Sequence, residues 1–205
     1  MAIERRGSKA NAMTHAFDIS AYPKRYKLTN GEIVVIRPLQ PRDEPELNEF
    51  FIRIPLAHRL RLHHDVADPR VLGEWTHKMN STHSLALIAA LDGQKIIADA
   101  ALLRHPTSEH VAEIRITLEE RFRRTELPEL LLRELVEIAE HADLDSVTLA
   151  LAGEGETDLV RAARHVGFRE VVLRREDGVT ISALAVTLMH MTEEPDVCQA
   201  LRKPQ

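Results

Sequence analysis

Cysteine is nearly absent from this chain: Cys198 is the only one in 205 residues. A single thiol excludes an internal disulfide framework and a cysteine-built zinc site. Long apolar runs are missing too, and none approaches the ~20 residues that cross a bilayer. There is no basic surplus, because 27 Lys and Arg stand against 32 Asp and Glu, a net charge of −5. Binding to phosphate backbones needs a basic face, so neither nucleic acid nor membrane is the expected partner. Residues 1–20 are charged and rich in small residues, with no apolar core of the secretory kind. They are expected to be a flexible tail, with Met13 as an alternative start, and the cytoplasm is the expected location.

Glycine is scarce as well, eight in all, which makes its placement informative. Three of the eight follow Asn or Asp, at Asn30-Gly31, Asp92-Gly93 and Asp177-Gly178. Such pairs between apolar segments are the strongest short-range signal of a β-hairpin. They predict strands over 32–37, 84–91 with 95–103, and 170–175 with 181–189. Residues 112–118 alternate strictly, with Ala112, Ile114, Ile116 and Leu118 on one face and Glu113, Arg115 and Thr117 on the other. A short buried strand is expected over 146–151.

Helices announce themselves by their starts. Asp43 as cap, Pro45 in the first turn and Glu46 three residues on predict a helix burying Leu47, Phe50, Phe51 and Ile54. Helical segments are also expected through Leu60 and Leu62, and from Asp68-Pro69 toward Met79. Residues 128–141 carry an apolar stripe of Leu131, Leu135 and Ile138, with Arg133, Glu134, Glu137 and Glu140 expected in water. A last helix over 156–166 is stopped by Gly167. Two β-α-β connections inside an antiparallel meander predict an α/β (α+β) domain with a mixed, mostly antiparallel central sheet and helices on both faces.

Ile36-Arg37-Pro38 with Asp43, Leu131-Leu132-Arg133-Glu134-Leu135 with Ala139, and Val166-Gly167-Phe168 resemble the GNAT N-acetyltransferase superfamily in register. Tyr22-Pro23, Asn30-Gly31, Glu49-Phe50-Phe51, Arg59 and Ala112-Glu113 are similar to the GNAT domains of bacterial protein-lysine acetyltransferases. The resemblance runs from Tyr22 to Met189. It implies a GNAT-like domain over 21–190 between tails at 1–20 and 191–205. It also implies acetyl-CoA as cofactor, a protein lysine or small amine as acceptor, and a second copy or a complex as partner.

In that superfamily a loop of pattern Gln/Arg-x-x-Gly-x-Gly/Ala cradles the CoA pyrophosphate on backbone amides at a helix N-terminus. The aligned residues here are Arg123, Arg124, Thr125, Glu126, Leu127 and Pro128, reached from the strand end at Leu118. Glu126 and Pro128 occupy the glycine positions. Pro128 removes a donor. A carboxylate at Glu126 facing a phosphate at ~4 Å, with an effective dielectric of ~20, would oppose binding by about 4 kcal/mol. The same residues also make a good ordinary helix start, with Thr125 as cap and acids in the first turn.

The resemblance gives Glu113 the role of general base on the attacking amine. Arg115, two residues along on the same face, offers an ion pair that would hold Glu113 ionised and weaken it as a base. Glu156 replaces the asparagine usual at the start of the last helix, and Ala163 stands where many members place a tyrosine. Arg121, Arg123 and Arg124 either meet phosphates or offset Glu119, Glu120 and Glu126. His58, His63, His64 and Asp65 lack the i, i+4 spacing of a helical metal site and read as surface or groove lining, so no metal is expected. Trp75 and Phe50-Phe51 read as core. Three functions stay open: an acetyl-CoA-dependent N-acyltransferase, a non-catalytic binding or regulatory module on the same fold, and a transferase with a less anionic acyl donor.

Overall fold

At two of the sheet's turns the left-handed backbone falls on Gly or Asp. Strands β1 (Lys24–Lys27) and β2 (Ile33–Pro38) pair antiparallel. Gly31 sits between them at φ +88°. The turn is closed by the Leu28 N–H on the Glu32 carbonyl at 2.8 Å. Between β3 (Ser84–Leu91) and β4 (Lys95–His105), Asp92 and Gly93 take φ +48° and +76°. Two successive positive φ values make the turn whose twist matches a hairpin. The computed structural model describes residues 17–55, 73, 76, 79–152, 157–176 and 179–188.

After β2, a 3₁₀ turn at Pro41–Asp43 leads into α1 (Glu44–Arg53). Asp43 precedes the helix but does not cap it with its side chain. Its carboxylate instead takes both Arg37 guanidinium nitrogens, at 2.6 and 2.7 Å, and the Gln40 N–H at 2.8 Å. A bidentate arginine is a stronger partner than a free amide, so it wins the carboxylate. Burial opposes ionisation of Asp43, but Arg37 and the Gln40 amide outweigh it and hold its pKa below the usual range.

The chain continues with β5 (Ser108–Leu118), α2 (Leu127–His141), β6 (Ser146–Ala152), α3 (Thr157–Val166), β7 (Arg169–Glu176) and β8 (Val179–Thr187). The strands form one eight-stranded sheet in the order β1-β2-β3-β4-β5-β6-β8-β7. Only β5 and β6 run parallel among the described pairs, joined by α2. The second crossover, through α3, lands β7 at the edge and leaves β8 to fill the gap.

Helices cover both faces. Leu47, Phe50, Phe51 and Ile54 of α1 pack on Ala86, Ile88, Ile96 and Ala101. The opposite face carries α2 and α3, with Leu131, Leu135 and Ala163 against Leu87, Leu102 and Ile114. The Phe50 and Phe51 rings are 5.1 Å apart and fully buried, each contributing about 1.5–3 kcal/mol through burial. On β5 the alternation holds from Ala112 to Arg115. Further along, Ile116 is only half-buried, whereas Thr117 is buried.

One residue expected in water is buried. Glu134 on α2 is only 5 % exposed because β1 and the segment before it lie across that flank of the helix. It accepts hydrogen bonds from Tyr22 Oη at 2.5 Å and from Tyr26 Oη, and pairs with Lys24 Nζ at 2.8 Å. Burial alone would raise its pKa, but Lys24 and the two tyrosines overcome that and lower it. The predicted segments at Leu60, Leu62 and Asp68-Pro69, and the Asp177-Gly178 turn, lie outside the described residues.

Candidate functional site

A sheet opens where two parallel strands part company. Here β5 and β6 pair only from Val111↔Ser146 to Ile114↔Leu149. Beyond that point β5 follows β4 up to Leu118, while β6 follows β8 up to Ala152. The result is a wedge at the carboxyl ends of two parallel strands, where open α/β sheets receive ligands. Its two rims are the segment 119–126 leading into α2 and the start of α3.

Glu113 stands on β5 where the strands begin to part, on the α1 face, and is about a third exposed. Arg115 lies beside it, Nε 2.5 Å from Glu113 Oε1. The ion pair expected from the sequence therefore exists. Leu118 closes the strand, but its side chain joins the α2 core, so only its backbone borders the wedge.

The segment after β5 is held by the protein's own acids. Arg121 reaches Glu32 at 3.1 Å, Arg123 reaches Glu120 at 3.4 Å, and Arg124 reaches Asp158 on α3 at 3.6 Å. The Arg124 pair spans the mouth of the wedge, and Arg124 is 84 % exposed, so water screens it heavily. The N-cap position falls on Glu126, and Thr125 stands one residue before it, its Oγ1 accepting the Leu127 N–H at 3.2 Å. The Thr125 and Arg123 amides are turned inward to Phe122 and Glu120 carbonyls. Leu127 and Pro128 are buried in the α2 core.

Glu126 differs from expectation. Its carboxylate accepts the Thr29 N–H and, at 3.0 Å, the Thr29 hydroxyl in the β1–β2 turn. Slight burial favours its neutral form, but its own amide and the two Thr29 donors outweigh this and lower its pKa. The repulsion expected at this position is thus partly disarmed. The donor set still fits a diphosphate, with three arginines at the rim, but with fewer amides than a glycine loop provides.

No protein-family model and no curated protein matches the chain. Solved structures do. The GNAT domain of S. lividans PAT superposes with a TM-score of 0.66 at 15% identity, covering 82% of this chain and 98% of its own. An acetyltransferase of the GNAT family from Streptococcus pneumoniae gives 0.61 at 19%, covering 76% and 99%. Spermidine N-acetyltransferase from Vibrio cholerae, solved with CoA and spermine, gives 0.63 at 13%, covering 75% and 95%.

This chain has the GNAT fold. The mixed, mostly antiparallel sheet with helices on both faces is as expected. Glu113 and the strand end Leu118, from which the chain runs on to the 123–128 segment, are five residues apart on β5, about 17 Å at ~3.3 Å per residue. His58, His63, His64, Asp65, Trp75, Glu156 and Cys198 lie outside the described residues. Among the described residues no group of His, Cys, Asp or Glu is arranged to hold a metal, and no helix is long and apolar enough to cross a membrane.

Sequence reasoning missed one residue on this face. Asp99 of β4 is 3 % exposed, and its Oδ1 has no hydrogen-bond partner. Burial pushes its pKa up to about 8. The available signal was a lone acid inside an apolar strand, in Ile96-Ile97-Ala98-Asp99-Ala100-Ala101.

Proposed function

We propose that the protein is an acetyl-CoA-dependent N-acyltransferase acting on a primary amine, working as a domain over residues 21–190 in the cytoplasm. The observation that carries this reading is the β5–β6 wedge, with Glu113 at its inner end and the cationic rim of Arg121, Arg123 and Arg124 at its mouth. The span between them suits an extended thioester arm. Arg123, Arg124 and Thr125 would face the diphosphate, with the backbone of Leu118, Glu126 and Leu127 shaping the groove and buried Pro128 fixing the helix start. When bound, the acyl thioester supplies an activated carbonyl. Glu113 would take the proton of the acceptor ammonium, leaving a neutral amine. A protein lysine is the acceptor favoured by the resemblance; spermine beside CoA in the Vibrio cholerae structure is a reason to test polyamines too.

A second reading is a non-catalytic module on the same fold. It is favoured by the acid partners of all three rim arginines and by the missing amide at Pro128. Calorimetry with acetyl-CoA at millimolar concentration separates the two. Heat of binding, together with amine-dependent thiol release from a panel of lysine peptides and polyamines, supports the transferase. Binding without turnover or no binding at all supports the module.

A further inference from the structure

Two irregularities on the α1 face of the sheet have one explanation. Glu113, the acid best placed to accept a proton, is covered by Arg115. Asp99, one strand away, is buried with Oδ1 unpartnered. A buried acid left without a partner is costly and calls for a reason.

The register connects them. Asp99 pairs with Thr117 and Arg115 with Ala101, so Asp99 and Arg115 are diagonal neighbours on the same face. Diagonal positions of an antiparallel pair lie about 7–8 Å apart, within reach of a long side chain. The residue opposite Arg115 is Ala101, a small side chain buried under α1. Arg115 thus stands between two carboxylates, Glu113 on its own strand and Asp99 on the next.

We infer that Arg115 is shared: it rests on Glu113 while Asp99 is protonated, swings to Asp99 when Asp99 ionises, and thereby uncovers Glu113. Asp99 is then a positioning residue acting through Arg115. Burial raises the Asp99 pKa, so the exchange falls above the ordinary carboxylate range. The charged groups on this face are few. On β5 they are Glu113 and Arg115, beyond them Glu119 with its partners Arg53 and Lys95, and on β2, in the same row as Asp99 across Ile88, Arg37 with its partner Asp43. The α1 residues of that core are apolar, as are Ile88 and Ala86 of β3, and α1 also buries the uncharged Asn48 Oδ1. The consequence for catalysis rests on the transferase reading; the coupling between Arg115 and Asp99 does not.

The test is a carboxyl ¹³C NMR titration of the full chain, with Asp99 assigned by its loss in Asp99→Asn. The Asp99 midpoint should rise by about one pH unit or more in Arg115→Gln, because the guanidinium that stabilises its ionised form is gone. An unmoved midpoint overturns the inference. Transfer from acetyl-CoA to spermine and to a blocked lysine peptide gives the second readout. Asp99→Asn should lower the rate at pH 8.5 about tenfold, and adding Arg115→Gln should restore it by freeing Glu113. Failure of that rescue in an active enzyme also overturns the inference. A responsive Asp99 midpoint in a wild type that acetylates neither probe upholds the sharing and removes the transferase reading instead.

Discussion

The Glu126 carboxylate is bound to Thr29, 97 residues earlier in the chain, through both the amide and the hydroxyl of that threonine. Together with Arg121–Glu32, this contact fastens the segment before α2 to the β1–β2 turn. A residue that looks hostile to a phosphate in the sequence is a staple in the fold.

Loosening the staple, by removing the Thr29 hydroxyl while its amide stays, should let negative charge move toward the rim. Thr29→Ala is expected to weaken acetyl-CoA binding several-fold, whereas the double variant Glu126→Gly, Pro128→Gly should strengthen it about tenfold or more by restoring close backbone approach. Calorimetric titration of the three proteins checks this. Equal affinities would show that the segment does not meet the phosphates.

The Glu134 cluster makes a prediction about stability. Glu134→Ala leaves Tyr22, Tyr26 and Lys24 without their shared acceptor and should cost about 3 kcal/mol. Its folded pKa is depressed, so its contribution is present above the unfolded carboxylate pKa and is lost as pH falls through the folded value. The tyrosines act in the opposite sense. Burial and Glu134 push Tyr26 up to about 12 and Tyr22 higher still. Their contribution is complete below the ordinary tyrosine pKa near 10 and is lost above it. Urea denaturation from pH 3 to 11 should show both edges in the wild type and both reduced in Glu134→Ala.

Asp99 should cost stability at neutral pH and above. Its folded pKa is raised, so the unfolding free energy should fall as pH rises from about 4 to about 8. Asp99→Asn should flatten that slope and be the more stable protein at pH 8, by about 1–3 kcal/mol. Denaturation at pH 5 and pH 8 measures the difference; an unchanged slope in the variant would contradict the burial argument.

The turns and the α2 stripe were legible in sequence because each is set by neighbours in the chain. Gly31, Gly93 and Gly167, at φ +88°, +76° and +102°, are placed by local backbone need. The α1 core residues were legible for the same reason, from spacing alone. What escaped was set by distant parts of the chain. Nothing near Glu134 says that β1 and the preceding segment will lie over it; Arg37, only six residues before Asp43, was by contrast a local competitor that the cap reading passed over. The candidate site follows the same division. Glu113 with Arg115 was readable as neighbours on one strand, while the Glu126–Thr29 contact and the Asp99–Arg115 diagonal exist only once the strands are in register.

The central claim is that the β5–β6 wedge receives an acyl-CoA. Backbone amide NMR with acetyl-CoA added to millimolar concentration tests it most directly. The account predicts saturable shifts concentrated at residues 114–118 and 123–127, with the α1 helix little changed. Saturable shifts elsewhere, or none at all, would contradict it.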